Sequence, residues 1–238
     1  MIEFGLLGTR GKMGSLVKER LGEEIQFGGK LRIVYEPART SSSDKAEIER
    51  STNVGSSPVV ILDYSSPDFL LSEMKQFKER NRFTRWLVGS TGWSPTQEKA
   101  LESFQSSQLI LKAANFSLGV LFLRKALKSV EGEFQRAGFN ASIEDVHHSR
   151  KKDAPSGTAL LLKNELKSFH EVPIESRREG DVVGFHEIVF ESVREKVSFS
   201  HDAKNRSVFA DGALRSVEAF ASWPMDRKGQ VYSLEDLF

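Results

Sequence analysis

The first fourteen residues constrain the fold more than any other part of the chain. A short apolar run, Ile2–Leu7, leads directly into a glycine-rich stretch, Gly8–Gly14 (GTRGKMG), and apolar residues at helical spacing follow in SLVKERL. Glycine in such a turn permits positive φ angles and a close approach of the backbone to a ligand. A strand that passes through a glycine turn into a helix is typical of a parallel sheet covered by helices.

The same alternation continues to about residue 116. Further strand-like apolar runs occur at Leu31–Tyr35, Val59–Asp63, Arg85–Val88 and Leu109–Ala113. Helices are predicted at Asp68–Arg80 and Pro95–Gln105, with a short one at Asp44–Arg50. We therefore predict an α/β fold in which residues 1–116 form a Rossmann-like, doubly wound parallel sheet that binds a dinucleotide.

After Asn115 the pattern becomes that of an α+β domain. A long helix is predicted over Ser117–Glu131 and another over Gly157–Phe169. The strand-like runs are Ala141–Val146, Val182–Glu191 and Glu195–Ala203. We predict a second domain at residues 117–209, built on a mixed or antiparallel sheet. A C-terminal segment, residues 210–238 with a helix near Gly212–Phe220, is expected to return to the first domain.

Composition excludes several classes of function. The 238 residues include 34 basic and 33 acidic side chains, so no overall field favours nucleic acid or an anionic membrane. There is no cysteine, which rules out disulfides, thiolate chemistry and cysteine-based zinc sites. The histidines show no H-x-x-x-H spacing, and we predict no metal. No apolar run is long enough to span a bilayer, and residues 1–7 resemble a strand more than a leader, so we expect a cytoplasmic protein.

The glycine loop and two later turns are candidate cofactor contacts. The free N–H groups at a helix start attract phosphate, and Glu36, at the end of the second strand, can accept hydrogen bonds from a ribose. The glycine spacing is G-x-x-G-x-x-G, which also suits a purely structural turn. Two small, polar turns follow later strands, Gly89–Gly92 (GSTG) and Ala113–Phe116 (AANF); ordinary strand-to-helix connections would look the same. The turn Asp63–Pro67 either caps a helix at Ser66 or lines the cofactor cleft.

The stretch HHSRKKDAPSGT, His147 to Thr158, concentrates titratable and cationic chemistry. Histidine is the usual proton donor near neutral pH, so His147 or His148 is the candidate acid. Ser156 is a predicted N-cap, and the N–H groups of Gly157 and Thr158 at the helix start, with Lys151, would suit a small dicarboxylate. The alternative is a solvated basic loop after a strand. His170, His186 and His201 have no comparable neighbours in the sequence and are interpreted as structural or surface residues.

Several motifs together resemble the dihydrodipicolinate reductase family. DVHHSRKKDAPSGTA, Asp145–Ala159, matches the family pattern throughout, as do the glycine loop GTRGKMG and the turn GSTGW. The segments AANFSLG, Ala113–Gly119, and FADGALR, Phe209–Arg215, match as well, so the resemblance spans essentially the whole chain. It implies a homotetrameric enzyme that reduces a cyclic imine dicarboxylate with NADH or NADPH in lysine and diaminopimelate biosynthesis.

The resemblance also implies residue roles. His147 corresponds to the proton donor and Lys151 to the catalytic lysine. The implied ligands of the substrate carboxylates are His148, Lys151, Gly157 and Thr158. The implied cofactor contacts are Gly8, Thr9, Arg10, Gly11, Lys12, Met13, Glu36, Gly89, Ser90, Thr91, Ala113, Ala114, Asn115 and Phe116.

One departure from the family pattern concerns the cofactor. Many relatives have arginine directly after the acid that ends the second strand, whereas this chain has Pro37, with Arg39 two residues further on. Glu36 should repel a 2′-phosphate, which favours NADH slightly. Two other functions fit the sequence less well: another two-domain dehydrogenase of amino or keto acids, and a dinucleotide-sensing regulator. A regulator would have no need of the His147 and Lys151 pair.

Overall fold

The computed structural model describes residues 1–22, 30–37 and 59–238. Within these ranges the strands are, in chain order, β1 Ile2–Leu7, β2 Leu31–Tyr35, β3 Val60–Asp63, β4 Arg85–Val88, β5 Leu109–Lys112, β6 Asn140–His147, β7 Ile174–Arg178, β8 Gly184–Glu191, β9 Lys196–Ala203 and β10 Val231–Tyr232. The helices are α1 Lys12–Gly22, α2 Pro67–Glu79, α3 Pro95–Glu102, α4 Leu118–Arg136, α5 Gly157–Lys163, α6 Ser207–Ala221 and α7 Leu234–Leu237. The predicted helix at Asp44–Arg50 and the cation Arg39 lie outside the described residues.

The chain divides into two compact units. The first contains residues 1–116 together with 209–238, and the second contains residues 117–208. The described part contains no helix with the length and apolar character that a bilayer crossing requires.

The first unit is built on a parallel sheet with the strand order β10-β5-β4-β3-β1-β2. Strand β3 lies at its centre and is buried along its whole length, as the continuous apolar run in its sequence predicts. Helix α2 begins with Pro67 at its first position, and Ser94 caps α3 through a reciprocal capping box with Gln97. The expected doubly wound α/β architecture of this unit is confirmed.

The C-terminal segment contributes a strand that the sequence pattern did not reveal. Strand β10 is only two residues long and pairs in parallel with β5, placing Val231 opposite Ile110. Two residues are too few to show any periodicity, and pairing to a sheet edge alone makes this segment a strand. Helix α6 also begins earlier than predicted, at Ser207 rather than near Gly212.

The second unit has a mixed sheet in the order β7-β6-β8-β9. Strand β6 pairs antiparallel with β8 and parallel with β7. The sequence analysis did not predict strand β7. The sequence of β7, IESRR, has a single apolar residue and therefore no recognisable strand pattern. Helix α5 ends at Lys163, six residues before the predicted end. Beyond that end, buried Glu165 forms an ion pair with Arg124 of α4 and accepts a 2.7 Å hydrogen bond from its Nε.

Candidate active site

The glycine loop of the first unit is packed so closely that two of its glycines, Gly8 and Gly14, cannot be replaced without a clash. Gly8 has φ +78°, and a Cβ atom there would lie 2.3 Å from the carbonyl oxygen of Tyr64. A Cβ at Gly14 would lie 2.2 Å from the carbonyl oxygen of Gly8. The N–H of Gly11 donates to the Gly8 carbonyl at 2.9 Å, which closes the turn before α1. These contacts bring the start of α1 directly against the loop, the arrangement that binds phosphate through backbone N–H groups.

A cleft of about 480 Å³ opens beside this loop. Its walls come from the carboxyl ends of β1, β2 and β3, where open parallel sheets bind their ligands. The lining residues are Gly8, Thr9, Arg10, Gly11, Pro37, Tyr64, Ser65, Ser66 and Phe69. The turn Asp63–Pro67 therefore lines the cleft, and Ser66 stands at the N-cap position of α2, although its side chain makes no capping hydrogen bond.

Glu36, at the end of β2, is already paired with a cation. Its Oε2 lies 3.0 Å from Nζ of Lys18 on α1, and both side chains are partly exposed. Lys12 and Met13, also expected at the cofactor, are the first two residues of α1. Glu36, one of the predicted cofactor contacts, is thus ion-paired with Lys18, and the sequence pattern did not reveal this partner.

The turns after β4 and β5 meet Tyr64. A Cβ at Gly89 would lie 2.6 Å from Cε1 of Tyr64, and the rings of Tyr64 and Phe116 form an edge-to-face pair with centroids 6.0 Å apart. Ser90 is buried, whereas Thr91 is exposed. Gly89 is therefore required for packing around Tyr64, and Thr91 is better placed than Ser90 to reach a ligand with its side chain.

In the second unit, His147 ends strand β6 and is only 9% exposed. Its Nδ1 lies 3.0 Å from Oδ1 of Asp145, two residues earlier on the same strand. Burial lowers the pKa of His147; the nearby Asp145 carboxylate opposes this shift, and the charges of Lys151 and Arg178 reinforce it. The imidazole is consequently neutral at pH 7 in the free protein, and added negative charge nearby would favour its protonation.

His186 on β8 belongs to the same cluster, although the sequence analysis saw no comparable neighbours for it. It is 4% exposed, its Nε2 lies 3.2 Å from Oγ of Ser156 and 3.4 Å from Oδ1 of Asp145, and burial lowers its pKa to about 4. Asp145, His147 and His186 bring potential metal-ligand atoms within 4.8 Å of one another, the one such group in the described ranges. The guanidinium of Arg178 lies 3.4 Å from the same carboxylate, and this positive charge opposes the binding of a cation there.

The residues that follow His147 include an ion-paired lysine and a histidine that accepts a hydrogen bond from an arginine. Nζ of Lys151 lies 2.8 Å from the carboxylate of Asp153, and Nε2 of His148 lies 3.0 Å from Nη2 of Arg206. Arg206 was missed by the sequence analysis, because 58 residues separate it from His148. Ser156 caps α5 as predicted, with its Oγ accepting from the N–H of Ala159 at 3.1 Å. Gly157 at the helix start is exposed, and Thr158 follows it.

These two units define a class of protein. A parallel sheet with a glycine-rich loop before its first helix is typical of dinucleotide-binding domains, and the second unit holds a histidine and a lysine of the kind used for proton transfer and anion binding. The first unit therefore has the fold of the dinucleotide-binding class, to which many oxidoreductases belong.

Comparison with known proteins identifies the particular family. The family model for the N-terminus of dihydrodipicolinate reductase matches residues 2–116, and the model for its C-terminus matches residues 119–238. The chain therefore belongs to the dihydrodipicolinate reductase family, as its motifs predict.

Curated relatives agree over nearly the whole chain. A protein of Bdellovibrio bacteriovorus named 4-hydroxy-tetrahydrodipicolinate reductase is 31% identical over 99% of this chain and 96% of its own length. A protein of the same name from Thermosipho africanus is 31% identical, covering 99% of this chain and 97% of its own. The solved structure of a dipicolinate-bound dihydrodipicolinate reductase from a Paenisporosarcina species shares the fold, with a TM-score of 0.72 at 22% identity and full coverage of both chains.

Proposed function

We propose that this chain reduces the cyclic imine dicarboxylate that its relatives are named for, 4-hydroxy-tetrahydrodipicolinate, to tetrahydrodipicolinate. The observation that carries the proposal is the buried His147 at the end of β6, close enough to Lys151 for the lysine charge to act on its pKa. A proton donor beside a fixed cation suits a substrate that is an anion and that gains a proton during reaction.

The proposed substrate ligands are the cationic and helix-start groups of the second unit. Lys151 exchanges Asp153 for one substrate carboxylate, and the N–H groups of Gly157 and Thr158 hold it as well. His148 accompanies them, and its neighbour Arg206 adds a guanidinium, which matches a carboxylate in shape and charge. The second unit then holds a dianion through cations and N–H donors.

Binding of the dianion also prepares the proton. Two added negative charges near His147 offset the burial that keeps it neutral, so the substrate itself favours the imidazolium form. Nδ1 faces Asp145, which leaves Nε2 as the donating nitrogen. The 4-hydroxyl group leaves as water, which places a carbon–carbon double bond in conjugation with the imine; when bound, the dinucleotide would supply the hydride that adds to that conjugated carbon. Negative charge then develops on the neighbouring atoms, Lys151 stabilises it, and His147 delivers its proton from Nε2.

The proposed dinucleotide contacts are the glycine loop, Glu36 and the turns after β4 and β5. The close packing of Gly8 and Gly14 supports this assignment, since the missing side chains at these two positions let the loop fold tightly against the start of α1, where N–H groups bind phosphate. Glu36 favours NADH because its carboxylate accepts from a ribose and repels a 2′-phosphate. Its ion pair with Lys18 weakens that repulsion, so we propose that NADH is preferred and that NADPH is also used.

The test of the reaction is a coupled assay in which the substrate is generated freshly and loss of the reduced nicotinamide absorbance is followed with each cofactor. Lys151→Met should lower both substrate affinity and turnover, because the lysine acts on the bound substrate and on the developing charge. Lys152→Met is the matched control, since Lys152 is a neighbouring but exposed lysine. Equal kinetics for the two variants would remove Lys151 from the mechanism, and no oxidation of either cofactor by the parent would refute the reaction.

Glu36→Gln tests the cofactor preference. We expect the ratio of kcat/KM for NADPH to that for NADH to rise about tenfold, because the variant keeps the size of the side chain and loses its charge. Glu79→Gln, on an exposed turn of α2, is the control for a surface charge change. An unchanged ratio in Glu36→Gln would show that Glu36 does not contact the ribose.

We further propose a homotetramer assembled through the second unit. Strand β9 is an edge of its sheet, and Val193 in the turn before it is fully exposed. Exposed edges and apolar side chains of this kind are commonly covered by another chain. Light scattering on the purified protein should give four times the chain mass of 26.7 kDa, and a monomeric mass would contradict the proposal. The cytoplasmic location stays a prediction.

A further inference from the structure

We propose that Asp145 is the positioning residue of this active site, and that its one buried carboxylate both orients His147 and anchors the turn that carries Lys151 and Gly157. The inference rests on the proposed function for the roles of His147 and Lys151. Asp145 lies on β6 and is completely buried, which is costly for an acid unless its oxygens are satisfied. The two carboxylate oxygens have separate partners, and each partner belongs to a different part of the site.

Oδ2 is tied to the substrate-binding turn and to β7. It accepts a hydrogen bond of 2.9 Å from the N–H of Ser156 and one of 3.1 Å from Oγ of Ser176. Nη2 of Arg178 lies 3.4 Å away, and the same guanidinium group donates to the carbonyl oxygen of Asp153. Arg178 therefore connects the carboxylate to the far side of the turn, and Ser156 connects it to the start of α5. The turn between Lys151 and Gly157 is thus held by this acid directly at Ser156 and, through Arg178, at Asp153.

Oδ1 is directed at the histidines. It lies 3.0 Å from Nδ1 of His147 and 3.4 Å from Nε2 of His186, and it makes no hydrogen bond with any described residue. An acceptor with spare capacity next to Nδ1 stabilises the imidazole whenever Nδ1 carries a proton. The proton that leaves is then the one on Nε2.

Gly184 on β8 leaves space at that second nitrogen. A Cβ atom on Gly184 would lie 3.1 Å from Nε2 of His147, closer than side chains normally pack. Because glycine stands there, Nε2 is not covered by a side chain at this point. The acid on one side of the imidazole and the missing side chain on the other give the ring a single productive orientation.

Several charges act on His147, and they determine what removal of Asp145 should do. The groups around it are Asp145, Lys151, Asp153, Arg178 and His186. The two acids favour the imidazolium, and the two cations oppose it. Without Asp145 the cations remain, so His147 should lose its proton at a lower pH.

The experiment is the pH dependence of kcat and kcat/KM for full-length Asp145→Asn, measured with the imine dicarboxylate. We expect kcat to fall roughly 10- to 100-fold and its alkaline limb to move to lower pH by about one unit. KM for the dicarboxylate should rise while KM for the cofactor stays constant, because the anchored turn binds only the substrate. A purely structural role would lower kcat without moving the alkaline limb, and that result would overturn the proposal.

Two further variants keep the test decisive. Glu144→Gln is the matched control: Glu144 precedes Asp145 on β6, is ion-paired with Arg177, and should leave the limb in place. If Asp145→Asn does not fold, Asp145→Glu retains the charge and displaces the carboxylate by one methylene. Asp145→Glu should lower kcat and keep the alkaline limb of its pH profile within a few tenths of a pH unit of the parent's. An unchanged kcat or a displaced alkaline limb would overturn the proposal.

Failure of the proposed reaction can be recognised separately. If the parent does not reduce the imine dicarboxylate, titration of His147 by proton NMR still compares the parent with Asp145→Asn. A lower midpoint for His147 in the variant supports the positioning role of Asp145, and an equal midpoint refutes it.

Discussion

The candidate binding sites of the two units are formed by different parts of the polypeptide. The first unit uses backbone: Gly8 and Gly14 pack against carbonyl oxygens so closely that neither position has room for a side chain. The second unit uses charged side chains, arranged around the buried carboxylate of Asp145. A backbone site should therefore be sensitive to added volume, whereas a side-chain site should be sensitive to changed charge.

The buried acids of the two units differ in the same way. In the first unit, burial raises the pKa of Asp63 and of Glu73, and the donors around them do not fully offset this shift. In the second unit, burial acts on Asp145 in the same direction, but the N–H and hydroxyl of Ser156, with other donors, hold its pKa below the ordinary value. A buried carboxylate remains charged only where enough donors surround it. The buried acids of the first unit should therefore lose their contribution to stability as pH rises, whereas Asp145 should lose its contribution as pH falls.

The largest effect should come from the proton donor. His147→Gln removes the titratable group and retains most of its volume, so we expect kcat to fall by about 10²- to 10⁴-fold. Cofactor affinity, measured by fluorescence titration, should not change, because the side chain that is replaced belongs to the second unit. His170→Gln is the control, since His170 is exposed. Parental turnover in His147→Gln would exclude His147 as the acid.

A substitution in the glycine loop should have a smaller effect, and it should change cofactor binding instead of the chemistry of the second unit. Gly14→Ala places a Cβ atom 2.2 Å from a carbonyl oxygen, and overpacking of this kind costs about 1–3 kcal/mol. Cofactor affinity should fall roughly 10- to 100-fold, with little change in the binding of dipicolinate. Gly22→Ala, at the end of the same helix, meets no atom within 4 Å and should bind both ligands normally. Normal cofactor binding by Gly14→Ala would show that the loop relaxes at little cost.

The smallest effect concerns stability and pH. The folded-state pKa of His186 is depressed to about 4, so its contribution to stability is present at neutral pH and is lost as pH falls towards that value. Between about pH 7 and about pH 4.5, the unfolding free energy of the parent should fall by about 2 kcal/mol more than that of His186→Gln. Chemical denaturation at a series of pH values measures this difference.

Glu73 supplies the opposite sign as a control for the first unit. Its folded-state pKa is raised, so the stability it contributes is present at low pH and is lost as pH rises. Glu73→Gln can still accept from Tyr35 and should stabilise the protein at neutral pH, because it removes the buried charge. If both variants show the same sign of pH dependence, the contrast drawn between the two units is wrong.

Local patterns were sufficient for much of the first unit. The strands β1, β2 and β4 have the bounds predicted from apolar runs, and α2 begins one residue before its predicted start. Those runs are continuous because both faces of the sheet are buried, which makes them easy to recognise. Strands β7 and β10 were missed because β7 has a single apolar residue and β10 is two residues long.

The residues of the second unit's cluster could be predicted only in part, since cross-strand neighbours are set by register. His186 lies opposite Asp145 on β6, and His201 lies opposite His186 on β9. No spacing within one strand encodes which residue of another strand stands beside it. For the same reason the sequence motif included Asp145 without giving it a role, and Arg178 and Arg206 were not considered.

The sequence by itself determined the parallel sheet, the glycine loop and the histidine and lysine of the DVHHSRKKDAPSGTA motif, because each depends on the order of neighbouring residues. Tertiary structure alone decided that Asp145 joins His147, His186, Ser156 and Arg178, and that Lys18 pairs with Glu36. The physical reason is that burial and hydrogen bonding, which set the charge of an acid or a histidine, depend on groups distant in the chain.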